Sequence, residues 1–189
     1  MPEWSIVLIV IGAVLVGLIA WAIKVQQKLV NLDEMAQNAL SQIGVQQNSR
    51  WDALIQIAGL TREYSEHEYK ALSDIIAKRQ PITRSSGAGE VNAQENLLTD
   101  AMSHIMAVVE QYPDLKAASL YSQTMGNVTE YEENVRMSRM VFNDSITKYN
   151  RLVRQFPSSI IASILKFKVK DYLDTPEEKT DMPNLTATK

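Results

Sequence analysis

The run WSIVLIVIGAVLVGLIAWAI, from Trp4 to Ile23, holds no charged side chain and is apolar on every side of a helix. At 1.5 Å per residue, roughly 20 residues span about 30 Å, the hydrocarbon thickness of a bilayer. Trp4 and Trp21 stand near its two ends, where an amphipathic ring sits well at headgroup level. A buried core helix would show one apolar stripe instead. A cleaved secretory signal would carry a basic residue ahead of the run, and Glu3 stands there, although Ala20-Trp21-Ala22 has the small-x-small form of a cleavage site. The run therefore reads as a retained transmembrane anchor, residues 1–23. Lys24 and Lys28 follow it, and a lysine-rich flank stays in the cytoplasm, which predicts an outside N-terminus and a cytoplasmic domain. Ala13 and Gly17 form a small-xxx-small pair, a weak signal for close approach of two anchors.

Outside the anchor, a chain of 189 residues has room for one domain. The absence of cysteine removes disulfides, thiolate metal sites and cysteine nucleophiles together. A net charge of -3 argues against nucleic acid, which needs a basic face. Abundant Ala, Leu, Gln, Glu and Ser, with few Gly and Pro, is the composition of long helices.

From Val25 to about Arg79 there is no proline. Apolar or small residues recur there in steps of three and four, as Val25, Leu29, Leu32, Ala36, Ala39 and Ile43, then Leu54, Ile57, Ala58, Leu72 and Ile75. This predicts one rod leaving the membrane, interrupted by polar residues 46–50 and bent, if anywhere, at Gly44 or Gly59. Residues 80–89, QPITRSSGAG, read as a loop. A second helix is expected over 92–111, ended by Tyr112-Pro113 because proline disfavours helical backbone before it. At Pro113 the chain either reverses or kinks and continues. A third helix is expected over 119–155, and Phe156-Pro157-Ser158-Ser159 breaks it. Residues 160–173 gather Ile160, Ile161, Ile164, Leu165, Val169 and Tyr172 on one helical side, although 165–170 also alternate like a strand. If that helix lies outside the bundle, Lys166, Lys168 and Lys170 are placed to rest it on anionic lipid. Residues 174–189 are polar, contain two prolines and read as a disordered tail.

Catalytic signatures are missing. His67-Glu68 opens a zinc-protease motif, but the second histidine would fall at position 71, which is Ala. A di-metal bundle needs Glu three residues before each histidine, where Tyr64 precedes His67 and Ala101 precedes His104. Asp100 and His104 are i, i+4 and need no more than a charge pair. Gly87-Ala88-Gly89 lacks the strand and lysine of a phosphate loop. No catalytic, cofactor-binding or metal-ligating residue is assigned, and no cofactor is expected. Gln42, Arg50, Asp52, Asn143, Asp144 and Asn150 lie in or beside apolar stripes. Such residues set register between helices or form a recognition surface, and register is the favoured reading.

Ordered blocks along nearly the whole chain resemble the LemA family. They are Ser41-Gln42-Ile43, Arg50-Trp51-Asp52, Tyr64 with His67-Glu68, residues 94–98 (QENLL), residues 107–117 (AVVEQYPDLKA), residues 130–134 (EYEEN), Phe142-Asn143-Asp144-Ser145, Tyr149-Asn150 and Phe156-Pro157-Ser158. Trp51 and Phe142 depart from the tyrosine common at those places. The resemblance implies a single-pass protein of the bacterial inner membrane with a helical-bundle domain and no catalytic residues to carry over. Relatives tend to be encoded near membrane metalloproteases or small membrane-associated domains, so the resemblance also implies an accessory role. The expected architecture is all-α: an N-terminal transmembrane helix, then an elongated antiparallel four-helix bundle over 24–173. The expected function is a non-enzymatic, membrane-anchored scaffold with a coiled-coil-like stripe, a homo-oligomer or a presenter of helical surface to membrane-protein partners. The alternative is a regulatory or substrate-delivery subunit of a membrane protease.

Overall fold

The computed structural model describes residues 3–174, and these are all-α. The described helices are α1 (Glu3–Thr61), α2 (Glu66–Ile76), α3 (Ala88–Gln111), α4 (Pro113–Ala117), α5 (Ser119–Arg154) and α6 (Ser158–Ile164). At 59 residues α1 is about 90 Å long, far beyond the usual three or four turns. Residues 7–20 of it are exposed throughout, and Trp21 is the first to meet the core. Val7, Ile9, Val16 and Ile19 are all more than half exposed, so no core in the chain covers this apolar run. No break separates this apolar third from the rest of the helix.

The remaining two thirds of α1 form one wall of the whole core. Nearest the apolar third, Val25, Leu29 and Leu32 pack with Tyr149 and Ala162. Next, Ala36, Ala39, Leu40 and Ile43 meet Val91, Val135, Phe142, Ile146 and Leu173. Farthest out, Trp51, Leu54, Ile57 and Ala58 meet Leu72, Leu98, Ala101, Ile105, Val108, Val109 and Leu115. Low α1 numbers meet high α5 numbers throughout, so α5 runs antiparallel to α1. The chain has therefore reversed at Pro113, where Tyr112 leaves helical backbone (φ -123°, ψ 82°) and α4 makes the corner.

The single rod expected over 25–79 ends at Thr61. The signal for the break is Ser65, whose hydroxyl accepts from the Glu68 N–H and caps α2, with Glu66 and Glu68 in the positive first turn. α2 then folds back on α1, and Arg79 reaches Asp52 at 3.5 Å. α2 and the irregular chain to Gly87 descend along α1, and α3, the helix expected over 92–111, climbs back. Gly44 is needed for that descent and does not bend α1: a Cβ there would sit 2.5 Å from the Ile82 carbonyl oxygen.

Residues 160–173 do not form the single helix expected of them. Helix α6 stops at Ile164, Lys166 adopts left-handed backbone (φ 60°), and 167–174 run extended without forming a strand. Residues 175–189, expected to be a disordered tail, lie outside the described residues.

Candidate functional site

Two polar arrangements interrupt the apolar core. The first is an ionic cluster joining α1, α3 and α5. Glu95 sits at its centre, accepting from Arg50 Nη1 at 2.6 Å through one oxygen and from Gln47 Nε2 at 2.9 Å through the other. Arg139 Nη2 stands 3.8 Å from the same carboxylate, and its Nη1 donates to the Asp174 carbonyl at 2.6 Å. Arg50 Nη2 also reaches Glu132 at 3.0 Å. The arginine side chains are only 4% and 5% exposed. Burial pushes the Glu95 carboxyl up, but the Arg50 charge, the Arg50 and Gln47 hydrogen bonds and the Arg139 charge together hold it below the ordinary value. Burial also draws Arg139 down. A carboxylate kept ionised by two cations carries protons poorly near neutral pH, so this cluster suits register better than general acid–base work. A cavity of about 480 Å³ opens beside it, between α3 and α5.

The second arrangement holds the extended segment. Asn143 donates to the Leu173 carbonyl and accepts from the Leu173 N–H, both at 2.9 Å. Asn150 does the same for Lys170, at 2.8 and 2.9 Å. Seven helical residues rise about 10.5 Å and three extended residues about 10 Å, so two amides seven apart match every third residue of a strand-like chain. Lys170 Nζ also pairs with Asp33 on α1 and lies 5.5 Å from the Tyr149 ring centre. The strap is thus tied to both long helices.

Of the six polar residues singled out from the sequence, Arg50 joins the ionic cluster and Asn143 and Asn150 hold the strap. Asp52 and Asp144 are exposed and paired with Arg79 and Lys148. Gln42 is exposed and lines an apolar groove of about 330 Å³ with Met35, Ala39, Met137 and Val141. The histidines do not come together: His67 is exposed, and His104 Nε2 lies 2.9 Å from Glu68 Oε2 without hydrogen-bond alignment. Among the described residues no three His, Cys, Asp or Glu side chains group as metal ligands. Sequence reading missed Glu95, Arg139 and Gln47, polar residues on stripes whose apolar neighbours carry the periodicity.

The sequence profile of the LemA family matches residues 39–186, from the outer part of α1 through α6 and the strap. The chain belongs to the LemA family. Protein LemA of Metamycoplasma hominis is 26% identical over 133 residues, 68% of this chain and 59% of that protein. Magnetosome protein MamQ of Magnetospirillum gryphiswaldense is 32% identical over 83 residues, 41% of this chain and 30% of MamQ. MamQ 1 of Paramagnetospirillum magneticum is 31% identical over the same length. The chain thus spans under a third of the MamQ proteins it matches. With the long apolar start of α1, these likenesses make this LemA protein a membrane-associated helical protein.

Proposed function

We propose that this protein is a non-enzymatic scaffold, anchored by α1 as a single-pass helix, that self-associates through the exposed face shared by α1 and α5. The groove of Met35, Ala39, Gln42, Met137 and Val141 carries the proposal. Met35, Met137 and Val141 are each over two-fifths exposed, and Val45 and Met140 extend the apolar surface at 54% and 57%. Flexible methionines adapt to a facing surface. Anchoring holds every copy at one height, so this face on one copy meets the same face on the next, the condition for a self-complementary contact. The basic residues after the apolar run, Lys24 and Lys28, support an outside N-terminus and a cytoplasmic bundle.

The test is the mass of the full-length protein in mild detergent, compared with Met35→Glu/Val141→Glu. A homo-oligomer that the double substitution dissociates supports self-association. A monomeric wild-type protein refutes it.

A further inference from the structure

We infer that the α5–α6 corner, residues 151–168, lies on the bilayer surface as a second, peripheral membrane contact, with apolar side chains in the headgroup layer and a basic rim toward anionic lipid. The inference rests on reading α1 as a membrane-crossing anchor.

The corner's height follows from what it packs against. Leu152, Val153, Ile161, Ala162 and Phe167 form one cluster with Trp21, Val25, Leu29 and Leu32 of α1. The apolar run ends at Ile23, so these α1 residues lie between about 3 Å below that edge and about 14 Å above it. The headgroup region adds about 5–8 Å to each side of the hydrocarbon core. A corner that shares a cluster with Trp21 and Val25 therefore enters that layer, and a tilt of α1 toward the corner lowers it further.

The side chains turned outward there suit the position. Ser158 and Ala162 are buried, whereas Ile160 and Ile164, four residues apart, are 50% and 69% exposed. Phe156 at 75% and Leu165 at 44% continue the apolar patch. Around it stand the exposed cations Arg151, Arg154, Lys166 and Lys168, with Lys24 and Lys28 on α1. Between Asp144 and Asp171 the chain has no acidic residue, in a protein whose net charge is -3. Apolar tips with a basic surround are the composition of an interfacial segment. Lys170, grouped with these lysines from the sequence, faces Asp33 instead and drops out.

The chain has no cysteine, so single labels report cleanly. Ile9→Cys, Phe156→Cys, Ile164→Cys and Ser122→Cys are each given an environment-sensitive fluorophore. The full-length proteins go into phosphatidylcholine–phosphatidylglycerol vesicles containing nitroxide-labelled lipid. Positions 156 and 164 are exposed, so labelling leaves the core intact, and helical ellipticity checks this. The expected result is strong quenching at 9, intermediate quenching at 156 and 164, and none at 122. Quenching at 9 with none at 156 or 164 overturns the peripheral contact and leaves the anchor standing. No quenching at 9 removes the anchor and the inference with it. Lys166→Glu/Lys168→Glu should reduce quenching at 156 in the anionic vesicles and not in pure phosphatidylcholine. Unchanged quenching in anionic vesicles overturns the basic rim.

Discussion

Glu95→Gln removes the one carboxylate that two buried arginines share. In the structure the Arg50 and Arg139 side chains are about one-twentieth exposed, and Glu95 itself is 19% exposed. Removing one partner of a buried ion pair costs roughly 3–5 kcal/mol, because the remaining charge stays desolvated. Glu132 still reaches Arg50 from a half-exposed position at 3.0 Å, which places the expectation at the lower end, about 3 kcal/mol. In a chain of this size 1 kcal/mol moves the melting temperature by about 2–4 °C, so the drop should be about 6–12 °C. Thermal loss of helical ellipticity, followed on the full-length protein in mild detergent, reads it directly.

The companion variant Arg50→Met/Glu95→Leu/Arg139→Met separates two explanations. A whole buried ionic group exchanged for apolar side chains is often neutral or stabilising. The triple variant should therefore melt above Glu95→Gln despite carrying more changes. A drop under about 2 °C for Glu95→Gln means the arginines are solvated and the reasoning from burial is wrong. A triple variant less stable than Glu95→Gln means the ionic group contributes net stability, and refutes the desolvation argument.

The same cluster sets an acid limit. Glu95 is held below the ordinary glutamate value of 4.5, so its contribution is complete above pH 4.5 and is lost as pH falls through the folded value; melting temperature against pH should fall in that window, and less so in Glu95→Gln. Asn150→Ala deletes both bonds to the Lys170 backbone and should cost about 1–3 kcal/mol. Hydrogen exchange should rise over residues 167–174 while α5 stays protected; unchanged exchange would mean the amide does not hold the strap. Gly44→Ala forces a methyl to 2.5 Å from the Ile82 carbonyl and should destabilise by about 1–3 kcal/mol. Gly59→Ala, with nothing within 4 Å of its new methyl, should gain about 0.5–1 kcal/mol, and chemical unfolding of both checks the opposite signs.

The apolar stripes carried most of the architecture because burial leaves its period in the sequence. Leu29, Leu32, Ala36 and Ile43 repeat at helical spacing and are all buried in the wall facing α5. The break after Thr61 left a different trace, the pattern Ser65-x-x-Glu68, which is a capping-box signature. Only half of the box forms, since the Glu68 carboxylate lies beside His104, and the stripe continuing through Leu72 and Ile75 hid the turn. The strap was less legible still. Its alternation at 165–170 was visible, but its partners are two asparagines on another helix, and their match to Lys170 and Leu173 exists only once α5 lies beside them. Glu95 stood in the QENLL block but gave no chemical signal of its own, because a carboxylate on a helix is ordinarily a solvated one. Only the convergence of Arg50 and Arg139 from two other helices makes it central.

That convergence bears on why one helix serves both as apolar run and as core wall. Residues 25–58 of α1 contribute to every core cluster, over about 50 Å of continuous helix. A bundle joined to an anchor by a flexible linker would be free to turn, and its Met35–Val141 face would meet neighbours in any orientation. Here the face, the ionic cluster and the α5–α6 corner have fixed bearings relative to the apolar run, because α1 is unbroken from Glu3 to Thr61. Inserting a short Gly-Ser-Pro-Gly segment between Lys24 and Val25, just after the apolar run, would uncouple them while leaving Val25, Leu29 and Leu32 in the core wall. On the proposed anchoring and self-association, a loss of oligomer at unchanged membrane content would show that the rigid continuation of α1 does the aligning. An oligomer that survives the break would mean that the groove alone suffices.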